Sequence, residues 1–273
     1  MTSPTLVAMV EARPDRPFWG RTWVESAFSA HIQNPGGDHA KRGLAHNLLG
    51  WSVGGCMGAE TLVQSRPVAR DTDDPVGDLL RSGARCSLGI YHPTSRSGLS
   101  SQPPRTARFR RWMAVLTGPR LHEQTRSDLL GSLPSYLARD AVREPDCQIQ
   151  LLALLDQLYS ATGFQNAYAE PGALAEALAK YSEARGDEAP HALFVSDGRT
   201  LAVLLNRGCL LSSYPPADLQ PSGGLVATNP GHLPASLLIW NPEAPAQPPR
   251  DAERIAEGIF TVHAAEPGVV SRL

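Results

Sequence analysis

The sequence predicts an α+β fold in which antiparallel sheets are layered with helices, and three observations predict it. The chain carries 24 Gly and 24 Pro in 273 residues, more punctuation than a helical bundle tolerates and what a sheet-rich chain with many turns requires. Strand-length apolar runs fall in two blocks, giving the order strand, helix, four strands, three helices and about six strands. Blocks of hairpin strands do not suit a doubly wound parallel sheet, where strands and helices alternate throughout, but they do suit a layered sandwich. The length fits one large domain spanning 1–273.

TLVAMVE, from Thr5 to Glu11, reads as a buried strand ended by the turn signal Arg13-Pro14-Asp15-Arg16-Pro17. Trp23, Ala27, Phe28 and Ile32 form a helical stripe that Asn34-Pro35-Gly36-Gly37 stops. His46 to Gly55 and Leu62 to Val68 read as two strands paired across a turn at Gly54 to Gly58. Asp73-Asp74-Pro75 supplies a cap and a first-turn proline for a short helix. Arg85 to Tyr91 and Arg111 to Leu116 are further strands, separated by a long Ser/Pro/Arg-rich loop.

The middle third is helical, over Thr125 to Leu133, Cys147 to Ser160 and Pro171 to Arg185. In the last of these Glu176 pairs with Lys180 at i,i+4. His191 to Tyr214 reads as a meander of three hairpin strands around Asp197-Gly198 and Asn206-Arg207-Gly208. Gly224 to Thr228, Ser236 to Trp240 and Gly258 to His263 continue the strands, with Pro215 to Pro221 and Pro242 to Pro249 as surface loops.

Apolar residues make up 42% and charged residues 19%, which excludes a disordered or collagenous chain. The net charge of −2 gives no whole-molecule attraction to nucleic acid or anionic lipid. No leader and no apolar stretch of membrane-spanning length is evident, so a cytoplasmic protein with neither membrane nor nucleic-acid partner is expected. Cys56, Cys86, Cys147 and Cys209 contain no CxxC and read as buried free thiols.

Several segments together carry a family resemblance. TLVAMV opens the chain, GWSVGG follows at Gly50 to Gly55, AVLTG runs from Ala114 to Gly118, and PDCQIQLLALLDQLY begins at Pro145. FVSDGRTLAVLLNRG, LVATNP and the closing strands follow in the same order. This arrangement resembles the class II glutamine amidotransferase domain, a four-layer αββα sandwich of the N-terminal-nucleophile hydrolase type. The resemblance implies two antiparallel sheets between helix layers.

In that family a terminal cysteine attacks the glutamine amide while its own amine serves as base, a self-contained nucleophile and base pair. Here the chain reads Met1-Thr2-Ser3-Pro4, the first cysteine is Cys56, and aligning the opening strands puts Pro4 near the nucleophile position. The family's arginine-bearing loop corresponds to Gly89 to Gly98, with Tyr91 or Pro93 in the arginine's place. His-Asn-Gly becomes Leu116-Thr117-Gly118, and Thr-Asp-Ser-Glu becomes Pro145-Asp146-Cys147-Gln148.

Gly118, by its N–H, and Asp146, by its carboxylate, are thus the expected ligand-binding residues, with no catalytic residue, metal or cofactor. The resemblance with these departures implies a protein that has lost amidase chemistry and serves as a binding or scaffold module for a partner enzyme or a small amine-bearing ligand. The alternative is an active amidohydrolase or amidotransferase that uses Thr2 after removal of Met1.

Other features have two readings each. Asp146 is also a first-turn residue favoured by the helix dipole. Arg105, Arg108, Arg110 and Arg111, interleaved with Phe109 and Trp112, suit either a phosphate or acidic partner or a solvated edge strand that discourages aggregation. His39, His46 and Asp38 lack the spacing of a helical metal site. Cys86 and Cys147 are nucleophile candidates near His92 with nothing local to activate them.

Overall fold

The structure is a computed structural model that describes residues 4–11, 24, 48–57, 60–70, 73–80, 84–93, 105–162, 168–213, 235–242, 252–265 and 270–272. Its first sheet contains β1 (Thr5–Glu11), β2 (Leu48–Met57), β3 (Glu60–Arg66), β4 (Cys86–Pro93), β9 (Cys209–Ser213), β10 (Ala235–Asn241) and β11 (Ala252–Ile255) in the order β11-β9-β10-β1-β4-β2-β3. The second contains β5 (Ala107–Phe109), β6 (Trp112–Thr117), β7 (Ala192–Ser196), β8 (Thr200–Leu205), β12 (Gly258–His263) and β13 (Val270–Arg272) in the order β13-β12-β8-β7-β6-β5. Every pairing within both sheets is antiparallel. The helices are α1 (Pro75–Leu80), α2 (Glu123–Ser132), α3 (Ser135–Ala141), α4 (Asp146–Thr162) and α5 (Pro171–Arg185).

The period of two along β1 explains the layering. Leu6, Ala8 and Val10 face the second sheet and pack with Met113, Val115, Phe194, Val203, Phe260 and Val262. Val7 and Met9 face the other way, onto Val24 and onto Val76 and Leu79 of α1. A strand covered on both faces must be apolar at every position, and all seven residues of β1 are buried. The far face of the second sheet, with Trp112, Ala114, Leu193, Val195, Ala202 and Leu204, packs against Leu151, Leu154 and Leu158 of α4 and Leu174, Leu178 and Tyr181 of α5. Helix, sheet, sheet and helix are therefore four successive layers. No helix among the described residues is long and apolar enough to cross a membrane.

The structure departs from the sequence reading at identifiable places. Gly54 and Gly55 lie inside β2, opposite Val63 and Leu62, rather than in a turn. A Cβ at Gly54 would meet Thr106 Cγ2 at 3.1 Å and Val63 Cγ2 at 3.2 Å, so this glycine serves close packing. The three strands after His191 are not one meander. β7 and β8 pair with each other in the second sheet, whereas β9 belongs to the first, between β10 and β11.

Asn206-Arg207-Gly208 is thus a corner between layers. The N–H groups of Asn206 and Arg207 both donate to the His191 carbonyl, at 2.9 and 3.0 Å. Gly208 takes φ +91°, which suits glycine, and a Cβ there would sit 2.7 Å from Trp240 Nε1. Apart from Val24, the helix read over Trp23 to Ile32 lies outside the described residues, as do the strand at Gly224 to Thr228, most of both proline-rich loops, Thr2, Asp38, His39 and His46.

Glu11 ends β1 as a buried carboxyl, and burial pushes its pKa up from 4.5 to about 7. A raised folded-state pKa means that the protonated form suits the fold. The contribution is complete below pH 4.5 and is lost as pH rises through about 7, an effect of about 3 kcal/mol. Glu11→Gln is expected to remove this term, so that urea denaturation between pH 5 and 8 shows the variant gaining stability over the parent as pH rises. A constant difference across that range would contradict the assignment.

Candidate functional site

The head of β1 is the point that the resemblance singles out. Thr5 pairs with Tyr91 and Leu6 with Trp240. Carrying the β1–β4 register one step further sets Pro4 beside His92. His92 continues the inward-facing phase of Leu88 and Ile90 in β4, and Pro4 directly precedes β1, where Leu6, Ala8 and Val10 face inward. His92 is half-buried, and burial lowers its pKa from 6.5 to about 4, so the imidazole is neutral near pH 7. The sequence reading weighed His92 only as a partner for a thiol. The signal that marks it is its even-numbered position in a strand whose even residues all face inward.

Between the sheets at this end the described side chains are apolar and buried. Leu6, Ile90, Trp240 and Leu205 are buried there, and the Trp240 indole N–H donates to the Arg207 carbonyl at 2.7 Å. Burying a side chain of this size removes roughly 150–250 Å² from water, worth about 4–6 kcal/mol at 25 cal/mol per Å². The indole is therefore fixed by packing and by a hydrogen bond.

Gly118 follows β6 at this same end. A Cβ on it would lie 2.9 Å from Pro190 Cα and 3.0 Å from His191 N, so the strand end packs flush on the 190–191 backbone. That backbone is itself pinned, since Asn206 Nδ2 donates to the Pro190 carbonyl at 2.9 Å. The short segment after Gly118 reaches Asp146, whose Oδ2 accepts the Leu121 N–H at 3.2 Å.

Asp146 Oδ1 pairs with Arg126 Nη1 at 2.6 Å. Arg126 also donates to the carbonyls of Val142 and Glu144 at 2.9 and 2.7 Å. Asp146 thus ties α2, the turn before α4 and the Gly118 segment together.

Tyr91 does not join this group. Its side chain is fully buried on the opposite face of the first sheet, where its hydroxyl donates to the Pro75 carbonyl at 3.4 Å. Nor do the thiols. All four cysteines are free, and burial pushes Cys86 up to about 12 and Cys147 to about 11, the reverse of activation. Cys86 and His92 stand at opposite ends of β4, roughly 20 Å apart at the rise of a strand.

The head of β1 thus offers a neutral imidazole beside a proline ring, over an apolar floor. The imidazole can accept a hydrogen bond, and among the described residues at this strand head neither Pro4 nor His92 carries a thiol or a hydroxyl.

No protein-family model matches the chain, and no curated protein matches it. Solved structures do. A glutamine aminotransferase class-II domain protein from Silicibacter pomeroyi aligns with 98% of this chain and 98% of its own, at TM-score 0.52 and 13% identity. An allosteric regulatory enzyme of purine biosynthesis aligns with 98% of this chain and 48% of its own, at TM-score 0.50 and 8% identity. The likeness is one of fold, and it runs the length of the chain: these residues adopt the layered sandwich of the class II glutamine amidotransferase domain.

Asp146→Asn keeps the shape of the side chain and removes its charge from Arg126. The expected loss is about 1–3 kcal/mol in urea denaturation, the range for hydrogen bonds to charged groups. Unchanged stability would mean that the pair does not hold α2 to α4.

Proposed function

We propose that this chain, built on the amidotransferase sandwich, has no amidase activity and works as a cytoplasmic binding or scaffold module for a partner enzyme or a small amine-bearing ligand. One observation supports the reading: Pro4 directly precedes β1, and aligning the opening strands with the family sets it near the position where amide attack needs a nucleophile with a base beside it. A proline within the chain has neither thiol nor hydroxyl, and its nitrogen is an amide. Leu116-Thr117-Gly118 also lacks the side-chain amide of an oxyanion hole, a loss of about 10²–10³ in rate by itself.

The same groups suit binding without turnover. His92, held neutral, presents a lone pair to an ammonium or amine. Asp146 retains acceptor capacity beyond Arg126 and Leu121, since a carboxylate has about four lone-pair sites. Gly118 brings its N–H to the same end of the sandwich. The free state of all four cysteines agrees with a reducing compartment.

The test is ammonia release from glutamine by the untagged chain, followed with a coupled dehydrogenase. The expected rate equals that of buffer. Release that disappears in Thr2→Ala would overturn the reading in favour of a terminal threonine nucleophile.

A further inference from the structure

The opposite end of the sandwich, some six residues along β1 from Pro4, carries an arrangement that the head does not use. β5 and β6 are joined by a tight turn in which Arg110 takes φ +56° and is solvent-exposed. Its neighbour Arg111 lies over the Tyr168 ring, 4.3 Å from the centroid, and Arg199, from the β7–β8 hairpin, lies over the same ring at 3.9 Å. Two guanidinium carbons so placed are no more than about 8.2 Å apart.

Like charges held this close usually share a carboxylate. Asp197 is the nearest in sequence, yet it is fully buried and spends its oxygens on backbone N–H groups of Ala169, Arg199 and Thr200 at 2.9 to 3.0 Å. Among the described residues, Arg110, Arg111 and Arg199 form no ion pair. The chain as a whole has 25 Lys+Arg against 27 Asp+Glu, so this cluster is not a sample of a generally basic surface.

Beside it lies a recess of about 50 Å³ between the turn, α3 and α4, walled by Phe109, Arg110, Tyr136, Leu137, Asp156 and Tyr159 among others. Tyr136 is 62% exposed there. Pockets for small molecules run to about 300–1,000 Å³. This recess admits the end of one apolar side chain and no more. Tyr159 joins the two features, since its ring borders the recess while its hydroxyl takes the Trp112 indole N–H at 2.7 Å and feels the charges of Arg110 and Arg111.

We infer that this end is a docking surface for an acidic peptide segment of a partner protein, with one apolar side chain seated against Tyr136 and Tyr159 and carboxylates on Arg110, Arg111 and Arg199. Charge complementarity selects the occupant: three arginines that form no ion pair among the described residues suit a polyanion, and the apolar recess wants a side chain that a phosphate or a nucleic-acid backbone does not supply. Asp156, on the recess wall, sets register by repelling a carboxylate from the apolar position. The inference rests on the scaffold reading for its partner but on different residues, so the two can fail separately.

The test is fluorescence anisotropy of the full chain with a fluorescein-labelled peptide of alternating glutamate and leucine, and with its lysine counterpart. The glutamate peptide is expected to bind saturably, to weaken with added salt, and to lose about tenfold in affinity in Arg110→Gly/Arg199→Ser. Glycine suits φ +56°, so the first substitution keeps the turn, and an unchanged Tm confirms the fold. Tyr136→Ala, at an exposed position, is expected to weaken binding severalfold without altering the salt dependence.

No binding of the glutamate peptide, equal binding of the lysine peptide, or equal binding by the arginine variant would each overturn the inference. Binding of poly(U) in place of the peptide, lost in the same variant, would overturn it in favour of a nucleic-acid surface. Failure here leaves the glutaminase result standing, and detection of glutaminase activity leaves this surface standing.

Discussion

The face-to-face packing of the two sheets around β1 is the constraint on which everything else depends. β1 lies between β10 and β4 in its own sheet, under the second sheet on one face and under α1 on the other. Nothing along it can be polar without a partner, which is why six of its positions are filled by apolar residues and threonine, and why its one carboxyl, Glu11, is held protonated up to about pH 7. The same packing carries through to Leu6, Ile90, Trp240 and Leu205, so among the described residues the head of the strand rests on buried apolar side chains.

The two ends of the sandwich carry different side chains. At the head, the corner at Asn206 to Gly208 clamps Trp240 from the second layer, Gly118 packs on the 190–191 backbone, and Asp146 pairs with Arg126. At the tail, the hairpin turns of the second sheet bring Arg111 and Arg199 around Tyr168, and among the described residues neither forms an ion pair. The fold that elsewhere houses glutamine chemistry supplies rigidity to both ends, and what each end can do is set by side chains alone.

Much of this was legible in the sequence. β1 and α5 are read with their observed bounds, because a doubly covered strand is uniformly apolar and because Pro171 and Gly186 punctuate a helix. Short elements were not. β5, β11 and β13 span three or four residues, with charged or polar members, and α3 makes barely two turns, too little for a period to register. The assignment of β9 to the first sheet was also hidden, since an Asn-Arg-Gly tripeptide between strands looks the same whether it closes a hairpin or crosses between layers. Its identity depends on Trp240, some 30 residues on.

For the candidate site, chain positions were legible in the sequence but the direction in which each side chain points was not. The resemblance pointed to Pro4, Gly118 and Asp146 and set Tyr91 or Pro93 in the place of the family's arginine; the odd position of Tyr91 in β4 turns it to the α1 face. Alternation separates His92 from Tyr91, and it becomes usable only when the buried face of each strand is known. Asp146 shows a further limit: sequence alone identifies a first-turn carboxylate, while its engagement with Arg126 depends on how α2 packs.

The claim that the interior beneath Pro4 is closed is tested most directly by hydrogen exchange of the Trp240 indole N–H, followed by nuclear magnetic resonance and assigned with Trp240→Phe. The account predicts exchange as slow as that of the most protected amides of β1 and β10, occurring by global unfolding. Rapid exchange of this proton while the β1 amides remain protected would show an open cleft at the head of β1 and contradict the account.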